Sequence, residues 1–202
     1  MRWQGKRRMS LVPGRDAPPP PGVKLTYDDF VHFPDDGRRH ELIDGEHYVT
    51  PSPNRKHQSV AGSLHALLWN HLRGNPIGEV FIAPFDVVLS NFDVVEPDIL
   101  YVSHARRNVL TEANVRGAPD LVVEVGSPST RRWDEREKHR LYERSNVAEY
   151  WVVDPDLDLI KVYRLEDGRY VLVQELSGER EDVLTTPLLP GLEIPLAVVF
   201  RS

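Results

Sequence analysis

Cysteine is absent from the 202 residues, which excludes disulfides and every thiolate metal site. A reducing cytoplasmic setting is therefore the expectation. No apolar run approaches the ~18 residues that a membrane-spanning helix needs, so a soluble chain without membrane contact is expected. The basic opening Met1-Arg2-Trp3-Gln4-Gly5-Lys6-Arg7-Arg8 has no apolar stretch of the secretory kind. Excess positive charge is missing too: 25 Lys and Arg stand against 31 Asp and Glu, for a formal net charge of −6. That weighs against a non-specific nucleic-acid binder, although a metal and a local basic cleft can do what net charge does not.

Several catalytic signatures are also missing. There is no Gly-x-x-x-x-Gly-Lys phosphate loop, no His-Glu-x-x-His pair and no Gly-x-Ser-x-Gly elbow. The eight histidines show no zinc-ligand spacing. Phosphate-loop NTPases, zinc proteases and α/β-hydrolases are excluded on these grounds. Trp69, Trp133 and Trp151 read as core or near-core aromatics rather than base-stacking platforms.

What is present is an ordinary globular balance, 40% apolar and 28% charged, in a chain long enough for one well-filled core. Residues 1–22, with Pro18-Pro19-Pro20-Pro21-Gly22, read as a flexible tail. Residues 23–202 read as a single domain. Thr26 is placed to cap a short helix that Pro34 ends. Asp44-Gly45 between Arg38–Ile43 and Glu46–Val49 is a type I′ hairpin signal. After Pro51 and Pro53, a helix is expected from Asn54 to Leu72, with Val60, Leu64, Leu67 and Leu68 on its apolar stripe. Short strands are expected around Val80–Ile82, Asp86–Leu89 and Pro97–Val102, the last two separated by a polar connection through Asn91 and Asp93. Ser103–Gly117 reads as an exposed loop or short helix, and Asp120–Val125 as a buried strand. Ser127-Pro128 starts a helix that runs to about Ser145. A strand over Glu149–Val153 follows, then hairpins over Leu159–Leu165 and Tyr170–Glu175 and a Pro-interrupted segment to Phe200.

Two of the apolar strands each deliver a carboxylate. Asp98 follows Pro97 in Val95-Glu96-Pro97-Asp98-Ile99-Leu100-Tyr101-Val102, and Glu124 stands inside Leu121-Val122-Val123-Glu124-Val125. An ionised carboxylate on a buried strand is costly unless something cationic offsets it. Acids on two such strands point to a hard cation with oxygen ligands, typically Mg²⁺ with Mn²⁺ as a substitute. Carboxylate-held Mg²⁺ is the usual apparatus for cleaving phosphate esters. The plainer alternative for Asp98 is a strand-entry carboxylate that caps a turn.

Other candidates are individually weaker. Lys138 lies one turn after Asp134 and one before Tyr142, where it could hold an attacking water or offset developing charge. It also sits in a dense mixed-charge stretch of the kind that forms solvated helix faces. Glu41 could add a third carboxylate. His57 and Gln58 open the long helix, where polar side chains and backbone N–H groups can meet a phosphate. Arg38, Arg39, Arg55 and Lys56 flank the same cleft in sequence and are candidate phosphate contacts.

Taken together these pieces resemble a known family. Glu41-Leu42-Ile43-Asp44-Gly45-Glu46, then Pro51-Ser52-Pro53 with His57-Gln58, resembles the opening of the Uma2 family, also called DUF820. Glu96-Pro97-Asp98-Ile99 resembles its PD element. Ala118-Pro119-Asp120-Leu121-Val122-Val123-Glu124-Val125 followed by Ser127-Pro128-Ser129-Thr130 resembles its most recognisable segment. Asp134, Lys138, Tyr142 and Glu149-Tyr150-Trp151-Val152-Val153-Asp154-Pro155 complete a likeness that covers roughly residues 25–200.

That family is assigned to the PD-(D/E)XK nuclease-like superfamily. The resemblance implies an α/β (α+β) restriction-endonuclease-like core, with a central mixed β-sheet flanked by helices and extra β-hairpins. It implies metal ligation by Asp98 and Glu124, assistance from Glu41, and a DNA substrate. The usual motif lysine, two residues after the Glu, is Gly126 here. Its role would fall to Lys138 on the next helix. Two readings follow: a Mg²⁺-dependent DNA endonuclease, paired as a homodimer, or a non-catalytic nucleic-acid- or protein-binding module that keeps the nuclease fold.

Overall fold

The computed structural model describes residues 23–50, 52–126 and 134–201. The first described helix is α1 (Tyr27–Phe30), capped by Thr26 as the sequence predicts, and Asp29 completes a capping box with it. A tight hairpin follows, formed by β1 (Arg39–Ile43) and β2 (Glu46–Thr50). Its turn residues Asp44 and Gly45 both have positive φ, 53° and 72°, as a type I′ turn requires. The long helix α2 (Arg55–Gly74) is capped by the Asn54 side chain, which accepts from the His57 N–H. Val60, Ala61, Leu64, Leu68 and Leu72 form its buried stripe, with Leu67 packed at the margin.

The middle of the chain contains β3 (Gly78–Ile82), β4 (Val87–Ser90), β5 (Asp93–Val95), β6 (Ile99–Ser103), β7 (Val115–Arg116) and β8 (Leu121–Val125). Strand β5 occupies the stretch that the sequence reading treats as a polar connection. Asp93 is buried there as an acceptor for the Asp44 N–H, the Ser90 hydroxyl and Arg144, so its polarity is internal. The Ser103–Gly117 stretch holds a 3-10 turn, His104–Val109, before β7.

The helix start proposed at Ser127 lies outside the described residues. A π-helical turn, Asp134–Lys138, leads into α3 (His139–Arg144), which ends one residue short of Ser145. The C-terminal portion supplies β9 (Glu149–Asp154), the hairpin β10 (Leu159–Glu166) and β11 (Arg169–Ser177), the short strands β12 (Val183–Leu184) and β13 (Ile194–Pro195), and α4 (Leu196–Val199).

Two larger sheets result. One has the order β2-β1-β5-β4-β7 and the other β11-β10-β9-β8-β6-β3. The second is mixed, since β8 and β9 run parallel while its other pairs are antiparallel. Side chains alternate across a strand, so each sheet face buries a different set. Ile99, Tyr101, Leu121, Val123, Trp151 and Val153 pack against α2 and α4. Leu100, Val102, Val122, Tyr150 and Val152 face the other way, onto Leu141 and Tyr142 of α3 and onto Ile43, Val87 and Val95 of the first sheet. The mixed α+β architecture agrees with the expectation. Trp151 is buried as expected, but Trp69 is half exposed and stacks under the Arg73 guanidinium at 4.9 Å. Trp133 lies outside the described residues.

Candidate functional site

The register of β6 and β8 builds the site. Ile99 opposes Val123 and Leu100 opposes Val122, so continuing the ladder by one residue sets Asp98 opposite Glu124. By alternation both carboxylates belong to the face of Leu100, Val122 and Val152, toward α3 and the first sheet. The same rule sends Arg39, Glu41 and Ile43 of β1 toward this face, with Leu42 in a separate cluster on the opposite side. Asp98, Glu124, Glu41 and Lys138 are all buried.

Asp98 accepts from three donors. Arg39 Nη1 lies 2.6 Å from Oδ1, while His57 Nε2 at 3.0 Å and the Val125 N–H at 2.8 Å reach Oδ2. Burial pushes this carboxyl upward, but His57 and Arg39 outweigh it and hold the group down at about 2. Glu124 Oε1 accepts from Lys138 Nζ at 2.7 Å and from the Tyr142 hydroxyl at 2.6 Å. Lys138 Nζ also donates to Glu41 Oε1 at 2.8 Å. Glu41 in turn accepts from the Glu96 N–H at 3.2 Å and the Thr50 hydroxyl at 3.4 Å. Burial, with the charges of Glu124 and Glu41, raises the Tyr142 phenol well above its usual range, so it stays a donor.

Glu96 is a further acid at this site. Arg39 Nε sits 2.7 Å from its Oε1 as an ion pair, without hydrogen-bond alignment. Burial raises its carboxyl to about 7 despite Arg39, and Asp86 and Glu41 push in the same direction. Asp86 itself is raised, chiefly by burial.

The structure thus brings Glu41, Asp98, Glu124 and Lys138 together, with Lys138 on an inward helix face rather than a solvated one. Of the proposed phosphate contacts, Arg39 and His57 turn inward onto Asp98. Arg38 is exposed near Asp36, Lys56 lies 3.4 Å from Asp158, and Arg55 and Gln58 are exposed at the start of α2. Sequence reasoning did not foresee Tyr142 or Glu96 as site residues. The signal for Tyr142 was its i,i+4 spacing from Lys138, which puts both on one helix face.

Among the described residues no group of three or more His, Asp or Glu side chains converges as a ready-made metal cage. The donor chemistry nonetheless fits a hard cation. Asp98 and Glu124 present carboxylate oxygens from opposed positions, and Mg²⁺ is commonly held by one or two carboxylates with water and substrate oxygens completing the shell. Among the described residues, Arg39 and His57 partner Asp98, Arg39 also meets Glu96, and Lys138 partners Glu41 and Glu124.

This combination of a mixed sheet, flanking helices and paired strand carboxylates is that of the nuclease-like folds. The fold resembles that of a protein solved as a "putative nuclease belonging to DUF820 from Anabaena variabilis ATCC 29413", with a TM-score of 0.73 and 19% identity, over 87% of this chain and 97% of that one. The Uma2 profile, described as "Putative restriction endonuclease", matches residues 27–198, and the chain belongs to that family. An uncharacterized protein of Synechocystis sp., slr1290, is 24% identical over 192 residues, covering 92% of this chain and 96% of the relative. Family membership supports a nuclease function in general terms.

Proposed function

We propose that this chain is a Mg²⁺-dependent endonuclease that hydrolyses DNA phosphodiester bonds. The observation that carries the reading is the Asp98–Glu124 pair, opposed across β6 and β8, with Lys138 bridging Glu124 to Glu41. Asp98 and Glu124 would hold the cation, with Mn²⁺ as a substitute. When bound, the cation supplies Lewis acidity toward the scissile phosphate and activation of the water nucleophile.

The chain's own residues do the rest. His57, Arg39 and the Val125 N–H keep Asp98 ionised and fixed in direction. Lys138 Nζ, held by two carboxylates, places a positive charge where the phosphoryl group gains negative charge in the transition state. It stands in for the lysine missing at Gly126. Arg55, Lys56 and Gln58 in the first turn of α2, with Arg38 on the exposed stretch before β1, would be the groups that meet the DNA backbone. Residues 23–202 act as one domain in this reading, in a cytoplasmic protein. A homodimer would supply the two sites that double-strand cutting needs.

The test is cleavage of supercoiled plasmid and single-stranded DNA with Mg²⁺, Mn²⁺ or EDTA, beside Asp98→Ala. Metal-dependent nicking that vanishes in the variant supports the reading. A folded, Mn²⁺-binding wild-type protein that cleaves neither substrate favours the non-catalytic binding module.

A further inference from the structure

The geometry points to Tyr142 as a positioning residue, whose hydroxyl orients Glu124 for cation binding. The inference rests on the proposed metal-dependent reading. Lys138 and Tyr142 lie one helical turn apart, and both donate to the same oxygen, Glu124 Oε1, at 2.7 and 2.6 Å. Their roles differ chemically. The ammonium brings a positive charge that opposes a second cation, and Glu41 shares it. The phenol fixes the carboxylate with a neutral donor and adds no repulsion.

Tyr142 is unusually well placed to hold a direction. It is fully buried, and its ring packs on Tyr150 with centroids 5.1 Å apart. The helix that carries it is tied down at its end: Arg144 pairs with Asp93 at 2.6 Å, and Glu143 accepts from the Tyr170 N–H at 2.7 Å. Asp93 belongs to the first sheet and Tyr170 to the second, so α3 is anchored to both layers. A glutamate has three side-chain torsions, and a ligand oxygen that wanders by an ångström loses its cation. An anchored phenol removes that freedom.

The experiment is Mn²⁺ binding, read as the free-ion electron paramagnetic resonance signal, for the wild type, Tyr142→Phe and Tyr170→Phe. Tyr170→Phe removes a hydroxyl from the same aromatic cluster, but one that donates to the Val147 carbonyl oxygen instead of to Glu124. Loss of a partner that orients a metal ligand costs roughly 10–100-fold in affinity, so Tyr142→Phe is expected to weaken binding at least about tenfold. Tyr170→Phe should stay within about twofold. Equal affinity in Tyr142→Phe and the wild type overturns the inference and leaves the nuclease reading standing. A wild type that binds no Mn²⁺ overturns both. A second measurement needs no metal: urea unfolding of Tyr142→Phe in the wild-type and Glu124→Gln backgrounds. The hydroxyl acts through the carboxylate if its removal matters less in the Glu124→Gln background, and strictly additive effects overturn that coupling.

Discussion

Lys138 and Glu41 stand 97 positions apart in the chain and meet at 2.8 Å in the interior, where the same ammonium also reaches Glu124 at 2.7 Å. One cation therefore joins the first hairpin, the central strand β8 and the helix that follows it. Removing one member of a buried ion pair typically costs about 3–5 kcal/mol, because the partner charge is left without compensation.

Lys138→Met should accordingly destabilise the protein by about 3–5 kcal/mol at pH 8. Urea unfolding with and without Mn²⁺ checks it. Millimolar Mn²⁺ should raise the stability of both proteins, since a cation that binds only the folded state stabilises it by mass action. Stabilities that Mn²⁺ leaves unchanged in both proteins would argue against a divalent ion held by Asp98 and Glu124.

Glu96 predicts a pH dependence of definite sign. Its carboxyl is raised in the folded protein to about 7 from an ordinary 4.5, so folding favours the protonated form. That stability is fully present below 4.5 and is lost as pH rises through 7. Glu96→Gln removes the dependence. Relative to the wild type, the variant should gain about 1–3 kcal/mol between pH 5 and pH 8, measured by denaturant unfolding at both values.

Asp98 behaves in the opposite way. Its folded value, about 2, lies below its ordinary 3.8, so its stabilising effect holds above 3.8 and disappears as pH falls through about 2. Asp98→Asn should flatten the acid limb of the stability curve in that window. Thermal melts between pH 2 and 5 (bounds chosen to bracket both values) would show the difference. An acid limb identical to the wild type would place the titration on other carboxylates.

The hairpin that carries Arg39 and Glu41 depends on its turn. Gly45 has φ +72°, and an added Cβ would fall 2.6 Å from Lys24 Cβ and 3.1 Å from the Leu25 carbonyl oxygen. Gly45→Ala should cost about 1–3 kcal/mol through strain and contact together. It should also weaken Mn²⁺ binding indirectly, by loosening the strand that sets Glu41. Gly37 is a useful control, because it shares a positive φ but meets nothing within 4 Å.

Gly126 allows a direct test of where the lysine belongs. Among the described residues a Cβ there would meet the Val153 carbonyl oxygen, at an ordinary 3.5 Å. Gly126→Lys in the Lys138→Met background should therefore fold and restore part of any metal-dependent cleavage. Restored stability without restored cleavage would separate the charge-balancing role of the lysine from a catalytic one.

Local features were legible in the sequence because local chemistry decides them. Asp44-Gly45 specifies two positive φ values, Thr26 caps a short helix, and the spacing of Val60, Leu64 and Leu68 requires a helix with one buried stripe. Asp98 and Glu124 stood out for a similar reason, since a carboxylate amid β-branched residues contradicts its surroundings unless it has a partner. Trp69 and Asp93 were misread where exposure and pairing depend on distant elements. Trp69 sits on the outward face of α2, and Asp93 is buried by donors from Asp44, Ser90 and Arg144.

By itself, then, the sequence determined the long helix, the hairpin turn and the two carboxylate-bearing strands, through torsional preference, capping and hydrophobic period. The tertiary structure decided which cation meets which acid. Arg39 and His57 fall on Asp98, and Lys138 and Tyr142 fall on Glu124, because strand register and sheet face bring together residues tens of positions apart. No local propensity encodes that choice. It follows from burying both faces of one mixed sheet at once, which brings donors from separate elements onto Asp98 and Glu124.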